Sequence, residues 1–232
     1  MPFVPDYEIA GVVEAIGAGV TGFEIGQRVA ALTRHGGFAE LLVRGAEHFV
    51  PIPDAVPDAD AAAVILSYVT AWQMIHRTTK VWPGQTALVT GAAGGVGTAA
   101  LQLLRLAGEK MYGAASAAKH ATVMQLGAIP IDYRAGPIDR LQRAPQPSGV
   151  DHVFDVVGGA NIGLCIGTAR CGGTVVGFGS MAAAGTLATL AIFKLFVVSA
   201  AARAAQHVLG HHVAVPKKIR SRCARICRRF SG

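Results

Sequence analysis

Residues 86–107, Thr86-Ala-Leu-Val-Thr90-Gly91-Ala92-Ala93-Gly94-Gly95-Val96-Gly97-Thr-Ala-Ala-Leu-Gln-Leu-Leu-Arg-Leu-Ala107, decide the fold. A short apolar run enters a turn of Gly, Ala and Val, and apolar residues then recur at helical spacing. Strand, glycine turn and helix in that order bring bare backbone N–H groups to a helix N-terminus, where a pyrophosphate binds well. The expected ligand is a dinucleotide. Gly-x-Gly-x-x-Gly is not present as such, because Ala92 stands in the first place, ahead of Gly94 and Gly97. The plain alternative is a tight strand-to-helix turn that binds nothing; the strand–turn–helix setting favours the ligand.

Outward from this stretch, β and α patterns alternate. Expected elements are strand 86–90, helix 96–107, strand 110–115, helix 117–126, strand 129–132, a weak helix near 136–143, strand 151–156, helix 160–169 and strand 173–178. Such alternation predicts a doubly wound parallel sheet. The N-terminal part reads differently. Strands at 9–16, 26–31 and 36–43, an extended exit at 49–53 and several glycine turns predict an all-β piece. A helix over 61–76, capped at Pro57-Asp58, joins the two. The expected organisation is a β domain at 1–57, an α/β domain at 58–180 and an Ala-rich segment with a basic tail at 181–232.

The chain has 232 residues, 52% hydrophobic and 15% charged, enough for one large or two modest globular domains. Its four cysteines, Cys165, Cys171, Cys223 and Cys227, are too few and too late for a disulfide framework. No basic–apolar–cleavage pattern opens the chain, so a cytoplasmic location is expected. The net charge of +7 is local. No acidic residue follows Asp155, and Lys217, Lys218, Arg220, Arg222, Arg225, Arg228 and Arg229 crowd the end, while the body is neutral. Such a tail can bind nucleic acid or anionic lipid. It can equally be a frame-shifted read-through, the favoured reading, because an ordinary surface mixes both signs.

Four motifs in one order, Tyr7-Glu8-Ile-Ala-Gly11-Val-Val-Glu-Ala-Ile-Gly17, Phe23-Glu-Ile-Gly26-Gln-Arg-Val29, Gly36-Gly37-Phe38-Ala39-Glu40 and the Gly91–Gly97 turn, resemble the medium-chain dehydrogenase/reductase superfamily. Within it they look like the zinc-independent quinone oxidoreductase (zeta-crystallin-like) branch, over about residues 2–180. The resemblance implies a partial GroES-like β domain followed by a Rossmann domain. It implies a chain truncated at both ends, with the opening strands missing before Met1 and the returning segment unrecognisable after Ser180.

The cofactor can be argued from residues. NAD-binding folds place Asp or Glu after the second strand to bond the ribose 2′-OH. Here Met111–Ala115 runs into Ser116-Ala-Ala-Lys119-His120 with no carboxylate, and a hydroxyl with an ammonium suits a 2′-phosphate. NADP(H) is therefore expected. The resemblance implies that Ser116, Lys119 and Tyr133 meet that phosphate, that Thr70, Gly94, Gly95 and Val96 lie against the cofactor, and that Phe178 and Gly179 lie at the nicotinamide end. Plain alternatives stay open: an N-cap for Ser116, a solvated helix face for Lys119, a half-buried aromatic for Tyr133, a helix-interior residue for Thr70 and core for Phe178.

The reaction implied is hydride transfer to a quinone or α,β-unsaturated carbonyl, with no catalytic residue identified. The alternative is an inactive NADPH-binding fragment. No family zinc is expected, since Asp6-Tyr7-Glu8 and Leu66 fall where zinc enzymes carry ligands. His207, His211, Cys223 and Cys227 form a second metal reading, against which chance composition is preferred. Asp151 and Asp155 are read as strand alternation, not an acid–base pair. The apolar run 186–202 carries Lys194 at its middle and is expected to be a buried helix, not a membrane span. Expected partners are a small-molecule substrate and a second copy in a homodimer, with no nucleic acid and no membrane.

Overall fold

The computed structural model describes residues 4–33, 35–136, 149–179, 181 and 211–214. The chain divides into two compact units, Met1–Val69 and Thr70–Gly232. The division lies inside the helix expected to join the two parts.

In the first unit, β1 (Glu8–Val12), β2 (Arg28–Leu32) and β3 (Phe49–Pro51) form an antiparallel sheet in that order. Val29, Ala30 and Ala31 of β2 are its buried centre. The strand expected over 36–43 is not formed. Gly36 has φ 90°, a left-handed conformation that breaks an extended run. Phe38, Leu41 and Val43 are all exposed, so among the described residues this segment has no face to bury. The third strand falls instead on the expected extended exit. Helix α1 (Asp58–Trp72) begins where Arg28 donates to the Asp58 carboxylate at 2.6 and 2.8 Å, tying β2 to the helix start. A widened helical turn continues it over Gln73–Thr79 and stops at Lys80, whose φ of 53° cannot extend a helix.

The second unit follows the alternating pattern. Its elements are β4 (Thr86–Thr90), α2 (Gly95–Leu106), β5 (Lys110–Ala115), α3 (His120–Gln125), β6 (Ile129–Asp132), β7 (Val150–Asp155), α4 (Asn161–Thr168), β8 (Ala169–Gly177) and β9 (His211–Ala214). The expected strands at 86–90, 110–115 and 129–132 form with those bounds. The helix expected over 117–126 splits into a tight 3-10 turn at Ala117–Lys119 and then α3. The weak helix near 136–143 lies almost wholly outside the described residues.

The sheet order is β6-β5-β4-β7-β8-β9. The first five strands are parallel, and β9 adds an antiparallel edge with His211 opposite Gly177. The order reverses direction between β4 and β7. Right-handed crossovers therefore place α2 and α3 on one face and α4 on the other, a doubly wound, Rossmann-like arrangement. All five residues of β4 are buried, as the central strand of a sheet covered on both faces requires. Leu88, Tyr112, Val150, Val153, Cys165 and Val175 make one core cluster across these strands.

Candidate functional site

The glycine turn is built by close packing. Gly91 follows β4 with φ 62°, and a Cβ there would meet the Val156 side chain at 2.5 Å. At Gly97 a Cβ would lie 2.2 Å from the Gly91 carbonyl oxygen and 2.9 Å from Ala92, so only glycine lets α2 seat against the turn. Gly94, in extended conformation, precedes α2, and no side chain caps that helix. Its first turn also holds no acidic residue. The N–H groups and positive dipole end there are left for an external anion.

Around this turn lies an open cavity of about 450 Å³. Its wall follows a simple rule of topology. The residue directly after each of the five parallel strands lines it: Tyr133 after β6, Ser116 after β5, Gly91 after β4, Val156 after β7 and Phe178 after β8. At about 4.8 Å per strand, these five positions span roughly 19 Å across the carboxyl ends of the sheet, centred on the switch point. One flank is polar, with the Ser116 hydroxyl, the Lys119 ammonium and Tyr133. The other is apolar, with Val156, Phe178 and Met181.

Of the residues singled out in the sequence, Gly94, Gly95, Val96, Ser116, Lys119, Tyr133 and Phe178 all line this cavity. Gly179 abuts it, its Cα packed so that a Cβ would fall 2.7 Å from Val156. Thr70, half-buried near the end of α1, is not among the lining residues. Ser116 makes no capping hydrogen bond to the following turn, which leaves its hydroxyl uncommitted there. The backbone bond from Lys119 N–H to Ser116 O, 2.8 Å, folds both side chains into one turn. The Arg134 guanidinium carbon stands 5.6 Å from the Tyr133 ring centroid, adding a charge that the sequence reading passed over.

Val156 and Met181 were also passed over, and Asp155, read from the sequence only as strand alternation, is the centre of a buried network. Asp155 is fully buried and its carboxylate accepts from Thr90 Oγ1 at 2.6 Å, Asn161 Nδ2 at 2.7 Å, Gly158 N–H at 2.8 Å and Val157 N–H at 3.3 Å. The available signal for that role was an acid closing the apolar run Val153-Phe154-Asp155. Asp151 lies four residues earlier, about 13 Å along the strand, so the two carboxylates act apart. Cys165 beside this network is buried, which with the nearby Asp155 pushes its thiol far above the ordinary range and makes it a poor nucleophile.

Two further metal questions bear on the site. Glu8 Oε2 accepts the Leu66 N–H at 2.7 Å, so Glu8 serves the backbone of α1. Among the described residues no three His, Cys, Asp or Glu side chains gather as a metal site. His207, Cys223 and Cys227 of the tail reading lie outside the described residues, as does the run 186–202. Among the described residues no helix is long and apolar enough to cross a membrane.

A cavity at the switch point of a doubly wound sheet, with a glycine turn in its wall, defines a Rossmann-like unit, the class of fold in which dinucleotides bind at this place. Residues 95–220 match the family described as "Zinc-binding dehydrogenase", and residues 1–54 match the "Alcohol dehydrogenase GroES-like domain". The chain belongs to the medium-chain dehydrogenase/reductase superfamily, and the quinone oxidoreductase branch read from its motifs fits its relatives. It is 38% identical over 162 residues to the zebrafish (Danio rerio) "Synaptic vesicle membrane protein VAT-1 homolog", which covers 69% of this chain and 34% of that protein. It resembles the solved quinone oxidoreductase of Pseudomonas syringae pv. Tomato DC3000 with TM-score 0.72 and 33% identity, over 78% of this chain and 57% of that one. The CurK enoyl reductase structure matches with TM-score 0.71 and 27% identity, over 81% of this chain and 57% of that one. The chain thus spans only a third to somewhat over half the length of such relatives. The family match continues past Gly179, where the motif resemblance was expected to fade, and includes β9.

Proposed function

We propose that this chain binds NADP(H) across the carboxyl ends of its parallel sheet and belongs to an enzyme that reduces quinones or α,β-unsaturated carbonyls without zinc. The observation that carries the reading is the lining of one cavity by the residue following each of five strands, with the uncapped glycine turn at its centre. The pyrophosphate would sit on the N–H groups of Gly95 and Val96, beside Gly94, whose own N–H donates to the Gly91 carbonyl at 2.9 Å. The adenosine end would extend toward Ser116, Lys119 and Tyr133, where a phosphate finds a hydroxyl and an ammonium and no carboxylate repels it. The nicotinamide end would reach Val156, Phe178 and Met181, apolar groups that exclude water. When bound, NADPH supplies hydride from nicotinamide C4, and the protein's part is to orient and desolvate it. Relatives named as quinone oxidoreductase and enoyl reductase support the acceptor class.

Thr70 as a cofactor neighbour, a cytoplasmic location and a homodimer are carried as parts of the same proposal. A thermal shift with NADPH against NADH tests its centre. At a hundredfold excess over Kd, NADPH should stabilise the fold by about 2.7 kcal/mol. An equal or larger effect from NADH would overturn the specificity, and no effect from either would overturn the cofactor. A second reading, an NADPH-binding chain that does not turn over, draws on the apolar character of the β7–β8 flank, which offers no proton donor among the described lining side chains. NADPH oxidation with 1,4-benzoquinone or 9,10-phenanthrenequinone separates the two.

A further inference from the structure

The geometry points to Asp155 and Thr90 as a positioning pair that sets the β7–β8 wall of the cavity against the glycine turn; this rests on the NADP(H) reading. The Thr90 hydroxyl, at the end of β4, donates to Asp155 Oδ1 at 2.6 Å and accepts the Val156 N–H at 3.0 Å. It therefore fastens the strand that carries the glycine turn to the first residue beyond β7. Asp155 in turn holds the start of the following loop through Gly158 and Asn161, at 2.8 and 2.7 Å. Its own backbone carbonyl accepts the Phe178 N–H at 2.8 Å, and the Val156 carbonyl accepts the Met181 N–H at 3.2 Å.

Of the apolar wall, Val156 and Phe178 thus bond directly to this pair, and Met181 is joined to it through the Val156 carbonyl. Val156 also presses on both Gly91 and Gly179, where an added Cβ would fall 2.5 and 2.7 Å from its side chain. A buried carboxylate is costly unless its acceptor sites are filled, and four donors fill them here. Such a network is held in one geometry, so a shift at Thr90 or Asp155 moves the wall as a unit. Ser116, Lys119 and Tyr133 lie on the other side of β4 and take no part in it.

The pair should therefore govern how the nicotinamide half is held and leave the 2′-phosphate half alone. The test measures Kd by titration for NADPH and for adenosine 2′,5′-bisphosphate, which has no nicotinamide half. Thr90→Val keeps the shape and removes the hydroxyl. It should weaken NADPH about tenfold while adenosine 2′,5′-bisphosphate stays within about twofold. Thr90→Ser restores the hydroxyl and should bring NADPH back to within about twofold of the wild type. Asn161→Ala, which removes one donor at the edge of the network, should give the same pattern at about threefold and keeps the test decisive if Thr90→Val does not fold. Equal weakening of both probes, or none of NADPH in a folded variant, overturns the pair's role and leaves the NADP(H) reading standing. A wild-type chain that binds neither probe overturns both.

Discussion

Asp155 and Glu109 are buried carboxyls at opposite ends of the same parallel sheet, and they are treated in opposite ways. Asp155 closes β7 at the carboxyl end and accepts four hydrogen bonds. Glu109 precedes β5 at the amino end, is 8% exposed, and neither of its oxygens has a partner. Burial, with a smaller push from Asp151, raises its pKa from 4.5 to about 7. Asp151 itself is served: burial opposes its ionisation, but hydrogen bonds from Thr86 and Arg170 outweigh that and hold it below the usual range. The neighbouring His152 is buried with an unpartnered Nδ1, and burial lowers its pKa. The carboxyl end, where the cavity lies, has its buried carboxylate satisfied. At the amino end Asp151 is served by Thr86 and Arg170, while the Glu109 oxygens and His152 Nδ1 are buried without a partner.

The comparison can be broken first at the glycine turn. Gly97→Val places carbon atoms where the Gly91 carbonyl and Ala92 already stand. Overpacking of backbone costs about 3 kcal/mol or more. Chemical denaturation should show that loss, and the NADPH thermal shift should vanish with it.

At the other end, Glu109→Gln should stabilise. The folded state keeps a proton that the unfolded state releases between pH 4.5 and about 7. Stability therefore falls as pH rises through that window and levels off above it. Replacing the carboxyl should recover up to about 3 kcal/mol at pH 8 and almost nothing at pH 4. His152 contributes the opposite slope: its lowered pKa means stability is lost as pH falls below 6.5. Urea titrations from pH 4 to 9 on wild type and Glu109→Gln check both signs. NADPH affinity should not change, and a change would show that the two ends are not independent.

The finest test lies within the cavity. Lys119→Ala should weaken NADPH about tenfold, close to 1.4 kcal/mol, leave NADH within about twofold and leave the melting temperature unchanged, because Lys119 is exposed. Equal losses of the two nucleotides would remove Lys119 from the proposed 2′-phosphate site.

Much of the second unit was legible because its signals are local. Strand 86–90 is apolar throughout, the glycines that follow need close approach, and Gly127 ends α3 just before β6. The first unit was harder to read. Gly36–Val43 has strand-like composition, but a strand exists only against a partner, and there the apolar side chains stay exposed. Four-residue β9 was illegible for the same reason, since its pairing with the free edge of β8 is what makes it a strand. The site residues at strand ends could be found by motif. Val156, Met181 and Arg134 could not, having no spacing of their own.

Alternation of apolar strands with helical spacing, and glycines where no Cβ fits, is written in the chain; it specified the α/β class, the position of the turn and the missing acid after β5. Strand order is not written there. Which strand lies beside which is settled by long-range burial and right-handed crossovers. Only that order brings the residues after five separate strands to one cavity, and only the packed interior makes Asp155 a shared acceptor while leaving Glu109 without a donor.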